Sequence, residues 1–411
     1  MIKTKWKKLI IIGVLVFTIM LLMITALNYR IIKQVYYGLT LFEESKINEN
    51  FRNLDQKFNS VKVESGENTF PLEKDLKNLP DEYNYMDEKR SVNNFIKRTG
   101  TTGLLVAKEN KILYEEYYNG YSDSDRIIIW SVSKSVISAL VGIAIDEGHI
   151  LSINDLVTDY VPSLSASGYN NVSIKNVLQM SSGISFNEDY ADINSDVNQM
   201  GARSFGAPGS LEDLLISLER ERDPGIYNQY ASSDTQVLGM LLREATGMDI
   251  AQYTQEKLWK PAGMEFDAYW LKDNTGVEAA FGGLNANLRD LARFGILYLN
   301  NGFLMNQQII PKKWIEDSIK TDEPHLIPGD NPNSEWVLGY GYQWWIPEGE
   351  NNDFLAIGIY GQAIYINLDQ KIVIVKTSAY KDYDLDGEEM ELESIDFFRH
   401  LALEMGTNLK N

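Results

Sequence analysis

Two β-rich stretches stand far apart in this chain, with helical sequence filling the distance between them. Gly103 to Ala107, a polar turn at Lys108-Glu109-Asn110, and Ile112 to Tyr118 read as a β-hairpin. Ala363 to Leu368 and Lys371 to Lys376, parted by Asp369-Gln370, read as a second one. Between them the spacing predicts helices over Ser131 to Glu147, Lys175 to Met180, Asp234 to Ala245 and Leu288 to Asn300. Gly148, Gly183, Gly247 and Gly302 punctuate their ends. Pro311 opens another helix, and an amphipathic one covers roughly Leu392 to Met405. Distant hairpins can share a sheet only if the chain between them is inserted to one side. The expected class is therefore α+β: an antiparallel sheet from about 100–120 and 354–380, flanked by helices, with a mostly helical insertion over about 150–350.

The chain has 411 residues, enough for one large domain or two closely joined ones. We expect this domain over 80–411. Lys3, Lys5, Lys7 and Lys8 precede an uncharged run from Leu9 to Leu27. As a helix extended to Tyr29 it would rise roughly 30 Å, about one hydrocarbon core. This predicts a cytoplasmic tail at 1–8, a single-pass membrane anchor at 9–29, a stalk at 30–79 and an extracytoplasmic folded domain. A cleaved signal peptide, which would make the protein secreted, is the competing reading. The net charge is −20, although residues 1–33 carry only positive charges, so the remainder is strongly acidic. Such a surface repels nucleic acid, and no nucleic-acid partner is expected. Cysteine is absent, which excludes thiol catalysis, disulfides and thiolate metal sites.

Ser131-Val-Ser-Lys134 places a hydroxyl and an amine three residues apart, on one face of a helix. A serine hydroxyl becomes nucleophilic when a neighbouring base takes its proton. Lys134 can be that base if burial leaves it neutral. The bland alternative is a helix cap with a solvated lysine. Tyr230-Ala-Ser232 follows a Pro-Gly turn and precedes a helix. A phenol near a cationic lysine ionises more easily and can relay protons. The alternative is aromatic packing with a capping serine. Gly358-Ile-Tyr-Gly-Gln362 leads into a strand, and its glycines allow close backbone approach. The Gln362 N–H could join that of Ser131 in an oxyanion hole, or the stretch is an ordinary strand entry. His149, His325 and His400 neighbour no Gly-x-Ser-x-Gly elbow and no metal spacing, so neither a Ser-His-Asp triad nor a metal is expected.

In this order the motifs resemble the serine β-lactamase and penicillin-binding protein superfamily, in its class C-like branch. The likeness is nearest to 6-aminohexanoate-dimer hydrolase and related carboxylesterases. It extends over Trp130 to Ser135, Asn187-Glu-Asp-Tyr190, Tyr230-Ala-Ser232, Arg289 to Arg293, Gln343-Trp-Trp345 and Gly358 to Gln362. The resemblance implies a β-lactamase-like fold, with Ser131 acylated, Lys134 as its proton acceptor and Tyr230 as acid/base at the leaving group. Ser232 would support the Lys–Tyr network, and Gly361 and Gln362 the oxyanion hole. Tyr190, Trp345 and Tyr360 would line the substrate pocket, and no cofactor is implied. Class C β-lactamases carry Tyr-x-Asn and a Lys-Thr-Gly strand, where this chain has Ser232 and Ile359-Tyr360-Gly361. Loss of that strand cation weakens recognition of a substrate carboxylate. The expected activity is hydrolysis of small esters or amides through an acyl-enzyme. A cell-wall D-alanyl ester or peptide hydrolase, or a β-lactam-binding sensor without turnover, are the rivals.

Overall fold

The computed structural model describes residues 2–27 and 29–406. Five strands carry the main sheet: β1 Thr101–Lys108, β2 Lys111–Tyr117, β3 Asp353–Gly358, β4 Gln362–Asn367 and β5 Ile372–Ser378. Their order is β3-β4-β5-β1-β2, each antiparallel to its neighbour, so the C-terminal strands dock directly onto the N-terminal hairpin. Short strands extend both edges, and Glu73–Lys74 joins β2 in parallel, which makes the sheet mixed. The insertion contains more than helices. Ala268–Leu271 and Leu284–Asn287 form a second sheet with Ser60–Val63 and Arg126–Ile128.

Four helices build the site and its support: α1 Val132–Asp146, α2 Ser232–Thr246, α3 Leu288–Leu299 and α4 Tyr383–Gly406. Strand alternation divides the core in two. Leu105, Ala107, Ile364, Ile366, Val373 and Val375 pack on one face of the main sheet with α3, while Leu104, Val106, Tyr365, Ile372 and Ile374 pack on the other with Phe397, Phe398 and Leu401 of α4. Covering both faces explains why these strands read as continuous apolar runs and not as alternating ones. Helix α4 begins earlier than its sequence pattern suggests and is kinked at Asp386 (φ −146°). Helix α3 approaches the sheet at Gly295, where an added Cβ would stand 2.5 Å from Val373 Cγ1.

The amino-terminal expectations need correction. Residues 41–63, within the segment expected to be a stalk, are part of the folded core. Leu41, Ile47, Phe51, Leu54, Phe58 and Val63 are buried in the main core, and Ser60–Val63 pairs with Ala268–Leu271. The sequence looks aperiodic because its apolar residues are shared among the short helices Ile47–Arg52 and Leu54–Lys57 and a four-residue strand. None of these is long enough to display a period. The membrane anchor is not supported either. Ile2–Leu27 is helical, but among the described residues no helix is long and apolar enough to cross a membrane. The side chains of Leu9, Leu21, Leu22 and residues 24–27, and Asn28 as a whole, on which the expected span also depended, lie outside what is described. The single-pass, extracytoplasmic placement is withdrawn with it.

Gly295 gives the packing a direct test. Alanine favours a helix interior over glycine by about 1 kcal/mol. Here its methyl would collide with a fully buried β-branched side chain, an overpacking cost of about 1–3 kcal/mol. We expect Gly295→Ala to lower the urea midpoint, and Val373→Ala in the same chain to restore part of the loss.

Candidate active site

The strand Arg126–Ile128 delivers the chain to a sharp turn at the start of α1. Ile129 N–H donates to Leu284 O (2.9 Å), tying the turn to the second sheet. Trp130 comes next with φ +46°, a costly value for a bulky residue, about 1–3 kcal/mol. Ser131 then begins the helix, but its hydroxyl makes no cap bond. The capping alternative is thereby removed. One turn on, Lys134 is 1 % exposed, which removes the solvated-lysine alternative as well.

Lys134 Nζ lies 2.9 Å from Ser131 Oγ, 3.1 Å from Ser232 Oγ and 2.6 Å from Phe281 O. Burial lowers its pKa to about 8, against the opposing attraction of Glu188. A free lysine base is therefore available near neutrality. Ser232 opens α2, and Glu188 binds it twice: Oε2 accepts its N–H (2.8 Å) and Oε1 its hydroxyl (2.6 Å). The carboxylate thus caps the positive end of α2 while facing the lysine. Tyr190 also donates to Glu188 Oε1 (2.6 Å). Burial holds the Glu188 carboxyl above its ordinary range, partly offset by Lys134 and these hydrogen bonds.

Tyr230 meets the site from the loop before α2. Its ring lies 5.0 Å from Lys134 Nζ and stacks on Trp345 at 5.3 Å. Burial raises its pKa well above the ordinary phenol value, and a hydrogen bond with Ser131 only partly offsets this. The expectation that a nearby lysine would ease ionisation is reversed. Desolvation, reinforced by the nearby Glu188, dominates, and Tyr230 is a neutral phenol.

A cleft of about 820 Å³ opens over Ser131, with Tyr190, Tyr230, Trp345, Ile357 and Ile359 among its lining residues. Tyr190 and Trp345 thus face the same space as the nucleophile. Gly361, Gln362 and Tyr360 do not. Gln362 is 1 % exposed, and its side chain is held by the Ser378 backbone at 2.6 and 3.1 Å. The Gly361 carbonyl faces the buried Lys376 Nζ (3.3 Å). The Tyr360 ring is buried against Phe42, Phe51 and Tyr383. The backbone beside the nucleophile belongs instead to Gly358, where an added Cβ would lie 2.5 Å from Ile129 O and 3.2 Å from Ser131 N. Only glycine lets β3 come that close.

Three other residues take roles that the sequence does not announce. Glu188 sits inside the Asn187-Glu-Asp-Tyr190 motif, where the adjacent tyrosine is the more conspicuous side chain. Gln343 (φ +63°) is a buried tie: its carbonyl accepts from Ser135 (2.6 Å), its Oε1 from Thr235 (2.6 Å), and its Nε2 donates to Leu178 O (2.9 Å). It thus locks α1 to α2. Arg293, part of another motif, is structural, pairing with Asp290 (2.9 Å) and Glu265 (2.9 Å).

Chemically, a partly exposed hydroxyl touches a buried amine and a neutral phenol at the floor of a cleft. That is the equipment for acyl transfer. Comparison with known proteins agrees. The Beta-lactamase family matches residues 89–391. A 6-aminohexanoate-dimer hydrolase from Paenarthrobacter ureafaciens is 32 % identical over 296 residues, covering 70 % of this chain and 75 % of its own. A solved Bacillus anthracis structure named for the same activity superposes with a TM-score of 0.79 at 24 % identity, covering 88 % of this chain and 95 % of its own. A family VIII carboxylesterase shares the fold at a TM-score of 0.53 and 18 % identity, over 67 % of this chain and 86 % of its own. The chain belongs to the Beta-lactamase family and is a serine hydrolase of that fold.

Proposed function

We propose that this enzyme hydrolyses small esters or amides through an acyl-enzyme on Ser131. The observation that carries the reading is the buried Lys134 amine, 2.9 Å from Ser131 Oγ with a pKa lowered to about 8. Lys134 takes the Ser131 proton as the hydroxyl attacks the carbonyl carbon. The oxyanion that forms is stabilised by the N–H groups of Ser131 and of Ile359, the residue next to Gly358 in the cleft wall. Tyr230, a neutral phenol, gives its proton to the departing amine or alcohol and is reprotonated by the Lys134 ammonium, which returns to the free base. Water then enters by the same route in reverse and frees the acid.

The cleft wall narrows the substrate. Its lining includes Asp189, Asp386, Glu388 and Glu389, and no basic side chain among the described residues. A substrate whose charge is a lone carboxylate would be repelled here, which disfavours β-lactams, while the ammonium of an amino-acid dimer would be attracted. The Paenarthrobacter relative, named for a dimer of an amino acid, supports amide hydrolysis alongside ester hydrolysis.

Fluorophosphonate labelling of the purified chain, with Ser131→Ala as control, tests the nucleophile. Labelling of wild type alone is expected, with turnover of p-nitrophenyl esters and none of nitrocefin. Unlabelled wild type would sink the reading. Tyr230→Phe separates the acid from the rest. It should slow amide hydrolysis by about 10²–10⁴ yet spare p-nitrophenyl esters, whose leaving group needs no proton. The pH profile tests Lys134. Its free base grows as pH rises through about 8, so kcat/KM should climb across that value and fall below it. Glu188 favours the ammonium, so Glu188→Gln should move this limb to lower pH. An unmoved limb would show that another group sets it.

A further inference from the structure

The segment before residue 89 lies outside the family match, yet it reaches the back of the active site. Phe51 packs edge-on against Trp130 (5.3 Å) and against Tyr360 (5.3 Å). Phe42 stacks on Tyr360 at 4.9 Å and 13°, and lies 6.1 Å from Trp130. Both clamped residues have left-handed backbone: Trp130 at φ +46° and Tyr360 at φ +62°. Such conformations in bulky residues persist only where surrounding structure enforces them.

These two rings are not incidental to the chemistry. Trp130 immediately precedes Ser131. Tyr360 is next to Ile359 in the turn between β3 and β4, and its ring touches Tyr383 of the cleft wall at 5.0 Å. The Trp130 indole N–H is buried and finds no acceptor among the described residues, so ring packing sets its orientation. The arm is itself pinned. Asp55 pairs with Arg126 (3.1 Å) on the strand leading to Ser131, Tyr121 donates to Asn48 O (2.6 Å), and Glu44 pairs with Lys381 (2.6 Å).

Resting on the hydrolase reading, we propose that the arm from Thr40 to Phe58 is a positioning element of the active site. Phe42 and Phe51 hold Trp130 and Tyr360, and through them the two backbone stretches whose N–H groups must converge on one oxyanion. Displacing either donor by about an ångström is enough for large losses in rate without loss of substrate binding.

Phe42 offers the cleaner probe, because it is 44 % exposed and its truncation leaves the core intact. In the full chain, Phe42→Ala should lower kcat on a p-nitrophenyl ester by about tenfold or more while KM stays within about twofold. Fluorophosphonate labelling should slow by a similar factor, and Phe42→Tyr, which keeps the stacked ring, should restore both. Phe51→Leu, which keeps an apolar core side chain without the ring, should show the same split between kcat and KM. If both variants keep wild-type kcat and only their thermal midpoints fall, the arm is mere core and the proposal fails. A wild type that neither labels nor turns over ester would overturn the hydrolase reading and this proposal with it.

Discussion

Lys134 has been taken out of water and given three oxygens: Ser131 Oγ, Ser232 Oγ and Phe281 O, at 2.9, 3.1 and 2.6 Å. An ammonium would donate to all three. A free base has two N–H groups and one lone pair. Phe281 O can only accept, and Ser232 Oγ spends its own proton on Glu188, so these two take the N–H groups. The lone pair is left facing Ser131. The same cradle therefore fits both protonation states without rearrangement, which a group that takes and returns a proton requires. Burial pulls the two states close in energy near neutrality, and Glu188 keeps the ammonium from becoming prohibitive.

The fold serves to hold that cradle still. Helix α1 brings Ser131 and Lys134, α2 brings Ser232, and Gln343 joins the two helices through Ser135 and Thr235. The edge of β3 supplies the facing wall, and the absence of a side chain at Gly358 sets how near it comes. Backbone strain at Trp130, Gln343 and Tyr360 collects around this one junction. The rest of the sheet, covered on both faces, provides the rigidity that keeps such strained turns in place.

Much of this is legible in the residues, and the failures have identifiable causes. Ser131 and Lys134 can be paired because a helix puts positions three apart on one face, whatever the tertiary context. The sheet can be assembled from its end pieces because strands buried on both faces are conspicuously apolar. Gln362 attracts the oxyanion role in sequence because a hairpin turn offers several N–H groups, and sequence does not say which one faces outward. The contact of Gly358 with Ile129 and Ser131 favours the stretch just before it, and that contact is tertiary. Tyr230 misleads for a different reason. Its cationic neighbour is visible in sequence, while the burial that dominates its pKa is not. Phe42, Phe51 and Phe58 pack on partners remote in sequence, so residues 41–63 of a segment that reads as a polar stalk join the core. The apolar run near the start forms a helix, but among the described residues none is long and apolar enough to cross a membrane.

The state of Lys134 itself is the most direct test. Selectively 13C-labelled lysine, with Lys134 assigned by Lys134→Arg, allows its side-chain resonance to be followed against pH by NMR. A titration near pH 8 is predicted, well below the ordinary lysine value of 10.5. A Lys134 resonance that titrates together with the exposed lysines would contradict a buried, near-neutral base at the centre of the site.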